Sequence, residues 1–147
     1  MKALSRLLTE ERIVWIDSAT KEDALRAMVE VISKTADLPQ AEDIFNAIIE
    51  RERLLSTGIG FNLAIPHAKL NGIKDFVVAL GVHSQGIHFE SLDNKPVHIL
   101  VMIVGPNFHQ EEYLKVLSRV TSFLKENREK IMALNTPQAV HQLMLEY

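Results

Sequence analysis

The spacing of apolar residues changes along this 147-residue chain and predicts alternating strands and helices. Short β-branched or continuously apolar runs predict strands at 13–16, 63–65, 76–82 and 97–104. Apolar residues three and four positions apart predict helices at 21–36, 41–54, 110–125 and 136–144. The interleaving predicts an α/β fold: one domain over 1–147, with a central mixed β-sheet and helices on both faces, a three-layer αβα arrangement.

Local signals set the expected ends of several elements. Thr20 and Thr136 are predicted N-caps, and Pro39 is predicted to separate the first two helices. Gly58 and Gly60 are predicted to open a loop, and Pro66 is predicted to end the strand at 63–65, because proline cannot donate to a sheet ladder.

The apolar pattern also predicts which helix faces are buried. In the second helix the expected buried face comprises Ile44, Phe45, Ile48 and Ile49. In the helix at 110–125, Leu114, Leu117 and Val120 are expected to point inward.

The composition excludes several classes of protein and of functional site. The chain is 47% hydrophobic and 24% charged, values typical of a globular protein. It has no cysteine, which excludes disulfides, thiolate metal sites and a cysteine nucleophile. The net charge of -3 argues against nucleic-acid binding. The longest apolar run is too short to span a bilayer and no signal peptide is evident, so we expect a cytoplasmic, free-standing protein without an attached membrane or acceptor domain.

The stretch from Ser56 to Lys69 holds the strongest candidate chemistry. His67 directly follows the strand-ending Pro66, and the upstream glycines leave backbone amides free to meet an anion. Imidazole is largely neutral at cellular pH and can act as a nucleophile toward phosphorus. The residues alone leave a second interpretation open, in which His67 is a loop histidine without a role.

A family resemblance favours the first interpretation. Gly58-Ile59-Gly60 followed by Ala64-Ile65-Pro66-His67-Ala68-Lys69 resembles the active-site signature of mannitol/fructose-type (type-2) enzyme IIA domains. These domains belong to the bacterial phosphoenolpyruvate-dependent phosphotransferase system and include the nitrogen-regulatory, PtsN-like branch. Arg51-Glu52-Arg53-Leu54 lies at the family's distance upstream, and the segment 108–117 resembles the family's second histidine motif.

The resemblance implies a role for three residues. His67 matches the histidine that carries the phosphate on Nε2, Arg51 matches an arginine close to that phosphate, and His109 matches a second histidine that hydrogen-bonds it. Without the resemblance, Arg51 would be interpreted as a solvated helix charge and His109 as a helix-entry residue. Asn62 stands where the family often has glycine, but asparagine tolerates a left-handed backbone better than most residues.

His83, His88 and His98 raise the alternative of a metal site. The chain has no HExxH pair and no cysteine partner, so neither a metal nor a cofactor is expected.

The resemblance implies a phosphotransferase in the carrier sense. The expected donor is a histidine phosphocarrier protein of the HPr or NPr type, and the expected acceptor is an enzyme IIB or a regulated target protein. A nitrogen-regulatory role is expected; the alternatives are a fructose- or mannitol-type transport subunit and a pure protein-binding regulator switched by phosphorylation. Neither nucleic-acid binding nor membrane insertion is expected.

Overall fold

The computed structural model describes residues 3–38, 41–107 and 110–147, so Pro39 lies outside the described residues. In these ranges the helices are α1 (Leu4–Leu7), α2 (Lys21–Thr35), α3 (Ala41–Leu54), α4 (Gln110–Ala133) and α5 (Pro137–Leu145), with a 3₁₀ turn at Glu10–Arg12. The strands there are β1 (Ile13–Trp15), β2 (Gly58–Gly60), β3 (Leu63–Ala64), β4 (His67–Leu70), β5 (Val77–Ile87) and β6 (Val97–Pro106).

The described strands form one mixed sheet in the order β1-β5-β6-β3-β2, with β4 also paired to β6. β5 and β6 are antiparallel, whereas β1 pairs with β5, and both β3 and β4 with β6, in parallel. β3 and β4 therefore follow one another along the same side of β6 and are separated only by Ile65 and Pro66. The mixed sheet confirms the predicted fold class.

A separate hydrophobic cluster covers each face of the sheet. One cluster joins the sheet to α4 and α5 through residues such as Val116, Val120 and Met144. The other joins it to α2 and α3 through residues such as Met28 and Ile48. Burial of these faces by the hydrophobic effect holds the three layers together, as the helical spacing predicted. None of the described helices has the length and apolar content to cross a membrane.

Several predicted boundaries are close to those observed. The observed α3 has the predicted bounds, and Ile44, Phe45 and Ile48 are buried with Ile49 packed against them. The predicted caps are also present, since the side chains of Thr20 and Thr136 accept hydrogen bonds from the backbone of the first turns of α2 and α5.

The loop expected at Gly58–Gly60 is instead strand β2, and the residues after Pro66 form the unpredicted strand β4. Both are short and contain glycine or polar residues, so their extended form comes from pairing with neighbouring strands rather than from local propensity. β2 pairs antiparallel with β3, and β4 pairs along β6. The prediction of a loop at this point was wrong because sheet pairing is not visible in a short window of sequence.

The helix predicted at 110–125 continues to Ala133, and the residue of its first turn that faces the core differs from the predicted one. Leu114 was expected to point inward but is 58% exposed, whereas Tyr113 is only 2% exposed. The buried stripe runs through Tyr113, Val116 and Val120, with helical spacings of three and four. Tyr113 thus takes the inward position at the start of α4.

Candidate active site

His67 is the first residue of β4, at the lateral edge of the sheet. It pairs in parallel with Ile103 of β6, and Ile103 N–H donates to the Pro66 carbonyl (3.0 Å). The next residue, Ala68, belongs to the core under α2 and α3. Because side chains alternate along a strand, the imidazole lies on the opposite side, near α4, and it is half-buried. Pro66 interrupts the sheet ladder as predicted, but the histidine that follows is held in a strand instead of a loop.

The main chain determines which imidazole nitrogen carries the proton. Nδ1 of His67 lies 2.8 Å from the carbonyl oxygen of Ile65. A carbonyl can only accept a hydrogen bond, so Nδ1 carries the hydrogen and donates it. In the neutral ring the lone pair is therefore on Nε2.

The surroundings of His67 favour the neutral ring. Burial is the largest cause that lowers its pKa, and the positive charges of Arg51 and Lys69 lower it further. The Ile65 hydrogen bond and the negative charge of Glu52 act in the opposite direction, but the net effect keeps the pKa below the ordinary value. At neutral pH the imidazole consequently presents an unprotonated nitrogen.

Arg51 lies in the last turn of α3 and is half-buried. Its Nη1 donates to the carbonyl of Leu55 (2.8 Å), one of the carbonyls left unpaired at the end of the helix. Only part of the guanidinium's hydrogen-bonding capacity is used by this contact, since the group has five N–H donors.

Arg51 and His67 line one cleft of about 480 Å³ between α3 and α4. Lys69 of β4 and Gln110 of α4 also line it, and Lys69 Nζ donates to Gln110 Oε1. The structure thus brings together two of the three residues assigned from the sequence. His109, the third, lies outside the described residues, and its role stays a prediction.

A buried carboxylate fixes the segment that follows α3. Glu52 is 6% exposed, and its two oxygens accept hydrogen bonds from the backbone N–H and the hydroxyl of Thr57, both at 2.7 Å. Lys21 of α2 forms an ion pair with the same carboxylate at 3.0 Å. Arg51 is the neighbour of this anchored residue, so its helix turn is attached to both α2 and β2.

Tyr113 is a site residue that the sequence analysis missed. Its ring centroid lies 6.0 Å from that of His67, and Lys69 Nζ lies 5.4 Å from its centroid. Tyr113 lines the cleft, and its buried hydroxyl has no hydrogen-bond partner among residues 3–38, 41–107 and 110–147. The apolar spacing of the sequence placed Leu114 rather than Tyr113 at the inward position; the signal that could have identified Tyr113 is its helical spacing from Val116 and Val120, which puts its ring on the inner face of the helix.

The turn between β2 and β3 accommodates Asn62 in the conformation expected of it. Gly60, Phe61 and Asn62 all have positive φ, with 64° at Asn62. The Asn62 side chain donates to the carbonyl of Pro96 (2.8 Å) and accepts from Arg128 (3.3 Å). Its side-chain hydrogen bonds therefore hold asparagine in a left-handed conformation that glycine would adopt without strain.

Of the three histidines considered as metal ligands, His83 and His98 have structural partners and His88 is exposed. His83 Nε2 donates to the Ser18 carbonyl (2.8 Å) while its Nδ1 accepts from Gly86 N–H (3.0 Å). His98 Nδ1 donates to the His83 carbonyl (2.9 Å). Over the described part of the chain, no three His, Cys, Asp or Glu side chains are grouped as metal ligands would be.

The arrangement combines a neutral nucleophilic nitrogen with positive charge and an open cleft. Such a site suits transfer of a small, doubly negative group such as a phosphoryl group, because the cations stabilise its charge. The cleft also has exposed apolar residues at its rim, since Leu54 is 79% exposed and Leu114 is 58% exposed. A macromolecular partner could cover this rim.

Comparisons with known proteins agree with this chemistry. Residues 6–147 match the family model "Phosphoenolpyruvate-dependent sugar phosphotransferase system, EIIA 2". The chain is 32% identical over 130 residues to the PTS system fructose-specific EIIA component of Haloferax volcanii, covering 87% of this chain and 84% of that protein. It is 28% identical over 149 residues to the Nitrogen regulatory protein of Pseudomonas aeruginosa, covering 99% and 97% respectively.

Solved structures show the same fold. The crystal structure of nitrogen regulatory protein IIA-Ntr from Neisseria meningitidis superposes with a TM-score of 0.89 at 26% identity, covering 96% of this chain and 98% of that one. The crystal structure of IIA mannitol from Escherichia coli, at 22% identity, matches in fold with a TM-score of 0.78 over 92% of this chain and 97% of that one. The matched family and the shared fold confirm the resemblance inferred from the sequence: this chain belongs to the EIIA 2 family of the phosphoenolpyruvate-dependent sugar phosphotransferase system, a family of phosphocarriers.

Proposed function

We propose that this chain is a cytoplasmic phosphoryl carrier that holds the phosphoryl group on Nε2 of His67. The observation that supports this most directly is the hydrogen bond from Nδ1 to the Ile65 carbonyl (2.8 Å). It leaves Nε2 as the nucleophilic nitrogen, and the lowered pKa of His67, caused first by burial, keeps that nitrogen unprotonated at neutral pH.

The proposed transfer needs no proton movement. The Nε2 lone pair forms a bond to phosphorus while the bond from phosphorus to the donor's imidazole nitrogen breaks, and that bonding pair returns to the donor ring. The proton on Nδ1 stays in place. The ring of His67 gains positive charge as the new bond forms, so its hydrogen bond to the Ile65 carbonyl becomes charge-assisted and stronger.

Arg51 and Lys69 have the charge that the phosphoryl group requires. Both act on His67 electrostatically, and both line its cleft. A guanidinium can bind two phosphoryl oxygens at once, which makes Arg51 the better candidate for holding the group in line between donor and acceptor. His109 stays in the proposal as a second residue that binds the phosphoryl group, on the basis of the sequence motif alone.

The proposed donor is a histidine phosphocarrier protein of the HPr or NPr type, and the proposed acceptor is an enzyme IIB or a regulated target protein. The exposed Leu54 and Leu114 at the rim of the cleft support protein docking around His67. One of the similar folds was solved as the Escherichia coli complex of enzyme IIAMTL with phosphorylated enzyme IIBMTL (TM-score 0.80, 20% identity).

We further place the chain in the nitrogen-regulatory branch. Relatives named Nitrogen regulatory protein align over nearly its whole length, and IIA-Ntr from Neisseria meningitidis superposes closely. A sugar-specific transport subunit is the second candidate, supported by the 32% identity to the Haloferax volcanii fructose-specific component.

The first experiment tests the carrier site. The chain is incubated with phosphoenolpyruvate, enzyme I and a histidine phosphocarrier, and its intact mass is measured. We expect one added phosphoryl group, labile in acid and stable in alkali, which His67→Gln abolishes and the control His98→Gln retains. Loading of His67→Gln to the wild-type level would refute the assignment of His67.

A second experiment tests Arg51 against its neighbour Arg53, which is exposed. We expect Arg51→Gln to slow loading about 10- to 100-fold, the usual effect of losing a charged donor to the transferred group. Arg53→Gln should load at the wild-type rate. Equal rates for wild type and Arg51→Gln would remove Arg51 from the mechanism.

The branch is tested by donor preference and phenotype. Loading rates are compared with an NPr-type and an HPr-type donor, and a deletion strain is scored for nitrogen and potassium phenotypes and for sugar uptake. Preference for the NPr-type donor with intact sugar uptake supports the regulatory assignment. Loss of uptake of one sugar would replace it with the transport assignment.

A further inference from the structure

The hydroxyl of Tyr113 is an unusual group in this protein. The residue is 2% exposed, and the hydroxyl is buried with no hydrogen-bond partner in the described parts of the chain. Leaving such a group unpaired costs free energy, because it loses its bonds to water and receives nothing in exchange. An unpaired buried hydroxyl at a reaction site therefore calls for an explanation.

The position of Tyr113 gives that explanation. The residue belongs to the lining of the His67 cleft, together with Arg51 and Lys69. Its ring packs against the imidazole, with centroids 6.0 Å apart and the planes inclined by 59°. Phe76 also contacts the ring edge-to-face, with centroids 5.5 Å apart, so two ring contacts restrict its orientation.

The Tyr113 hydroxyl is available as a hydrogen-bond donor. Burial raises the pKa of Tyr113 well above its ordinary value, so the hydroxyl is protonated at neutral pH. A protonated hydroxyl that lacks an acceptor is suited to a ligand that brings acceptor oxygens into the cleft. A phosphoryl group brings three.

From this geometry we propose that the Tyr113 hydroxyl donates a hydrogen bond to the phosphoryl group carried on Nε2 of His67. This inference rests on the proposed function, since it requires phosphorylation at His67. Tyr113 would then bind the group from α4 while Arg51 binds it from α3, on opposite sides of the cleft.

The proposal has a thermodynamic consequence that a purely structural tyrosine would lack. In the unphosphorylated protein the described residues offer the hydroxyl no partner, and in the phosphorylated protein the phosphoryl group supplies one. Tyr113→Phe, which removes one oxygen and keeps the ring packing, should therefore leave the unphosphorylated protein as stable as wild type or more stable. It should destabilise only the phosphorylated form.

The experiment compares wild type, Tyr113→Phe and Tyr147→Phe. Tyr147 is the chain's second tyrosine and is 43% exposed, so its substitution is the matched control. Loading rate from a phosphorylated histidine carrier, the half-life of the phosphorylated protein and its melting temperature with and without the phosphoryl group are measured for each.

We expect Tyr113→Phe to load about 10- to 100-fold more slowly and to lose its phosphoryl group faster, while its unphosphorylated form melts no lower than wild type. Tyr147→Phe should match wild type in the loading and half-life readouts. Wild-type loading and half-life in Tyr113→Phe would overturn the role of Tyr113 and leave the carrier function intact. Failure of wild type to load, or loading that persists in His67→Gln, would overturn the carrier assignment and this inference with it.

Discussion

The anchor at Glu52 yields a quantitative prediction for the variant Glu52→Gln. The carboxylate accepts two hydrogen bonds from Thr57 (both 2.7 Å) and pairs with Lys21 (3.0 Å). The amide retains one acceptor oxygen for the Thr57 backbone N–H, and its NH₂ can donate to the oxygen of the Thr57 hydroxyl. The substitution therefore removes the ion pair with Lys21 and the charge assistance of the two hydrogen bonds to Thr57.

Two considerations set the magnitude. A hydrogen bond to a charged group contributes about 1.5–3 kcal/mol, and breaking a buried pair by removing one partner costs about 3–5 kcal/mol. After the substitution Lys21 still donates to the Phe89 carbonyl (3.3 Å), and its side chain is 19% exposed. The cost therefore lies in the lower part of the combined range of about 1.5–5 kcal/mol. We expect a loss of about 2.5 kcal/mol in the free energy of unfolding. With an unfolding entropy of about 0.3 kcal/mol/K for a chain of this length, this lowers the melting temperature by about 8 °C.

The assay is urea unfolding followed by circular dichroism, with Glu50→Gln as the control because Glu50 is an exposed glutamate on the same helix. The double variant Lys21→Met/Glu52→Gln should cost less than the sum of the two single variants, since the pair is lost only once. A loss below about 0.5 kcal/mol for Glu52→Gln, or strict additivity in the double variant, would refute the reasoning.

Two further predictions concern the site and its neighbouring turn. Because the pKa of His67 lies below its ordinary value of about 6.5, loading should be constant above pH 7 and fall only below about pH 6.5, as Nε2 becomes protonated. NMR titration of the imidazole should give a higher midpoint in Arg51→Gln than in wild type, and this midpoint should still lie below the ordinary value because burial is the larger cause. A wild-type midpoint above about 6.5 would contradict this prediction. Asn62→Ala should lower the free energy of unfolding by about 2 kcal/mol, because alanine is strained in the left-handed conformation (φ 64°) and lacks the side-chain hydrogen bonds. Asn62→Gly should lower it by about half as much, because glycine also lacks the side-chain bonds but is not strained there. Thermal unfolding measures both losses, and equal losses would show that backbone strain contributes nothing.

Local periodicity located the helices α2 to α5 and the long strands β5 and β6, but it missed α1 and ended α4 at 125 and β5 at 82, short of the observed Ala133 and Ile87. The helix α3 has its predicted bounds because its apolar stripe is regular and Gly58 follows soon after it. The strands β2 and β4 could not be predicted in this way, since only pairing with β3 and β6 makes Gly58–Gly60 and His67–Leu70 extended. Their extended form comes from contacts distant in sequence.

The site was only partly predictable for a related reason. His67 and Arg51 were identified through motifs and share one cleft in the structure, although their roles remain proposals. Tyr113 was missed because the apolar spacing was assigned to the adjacent Leu114, which left the tyrosine off the predicted inward face. Only the three-dimensional arrangement reveals that its hydroxyl lacks a partner among the described residues and that its ring lies beside the histidine.

The contact between the imidazole and the Ile65 carbonyl has a consequence for how such proteins can diversify. In the proposed mechanism the choice of reactive nitrogen depends on a peptide oxygen two residues away, which every amino acid at that position supplies. Exchanging the exposed rim residues Leu54 and Leu114 can thus alter partner preference without changing which nitrogen has the lone pair. Evolution can therefore vary the partner while the backbone continues to select the same nitrogen.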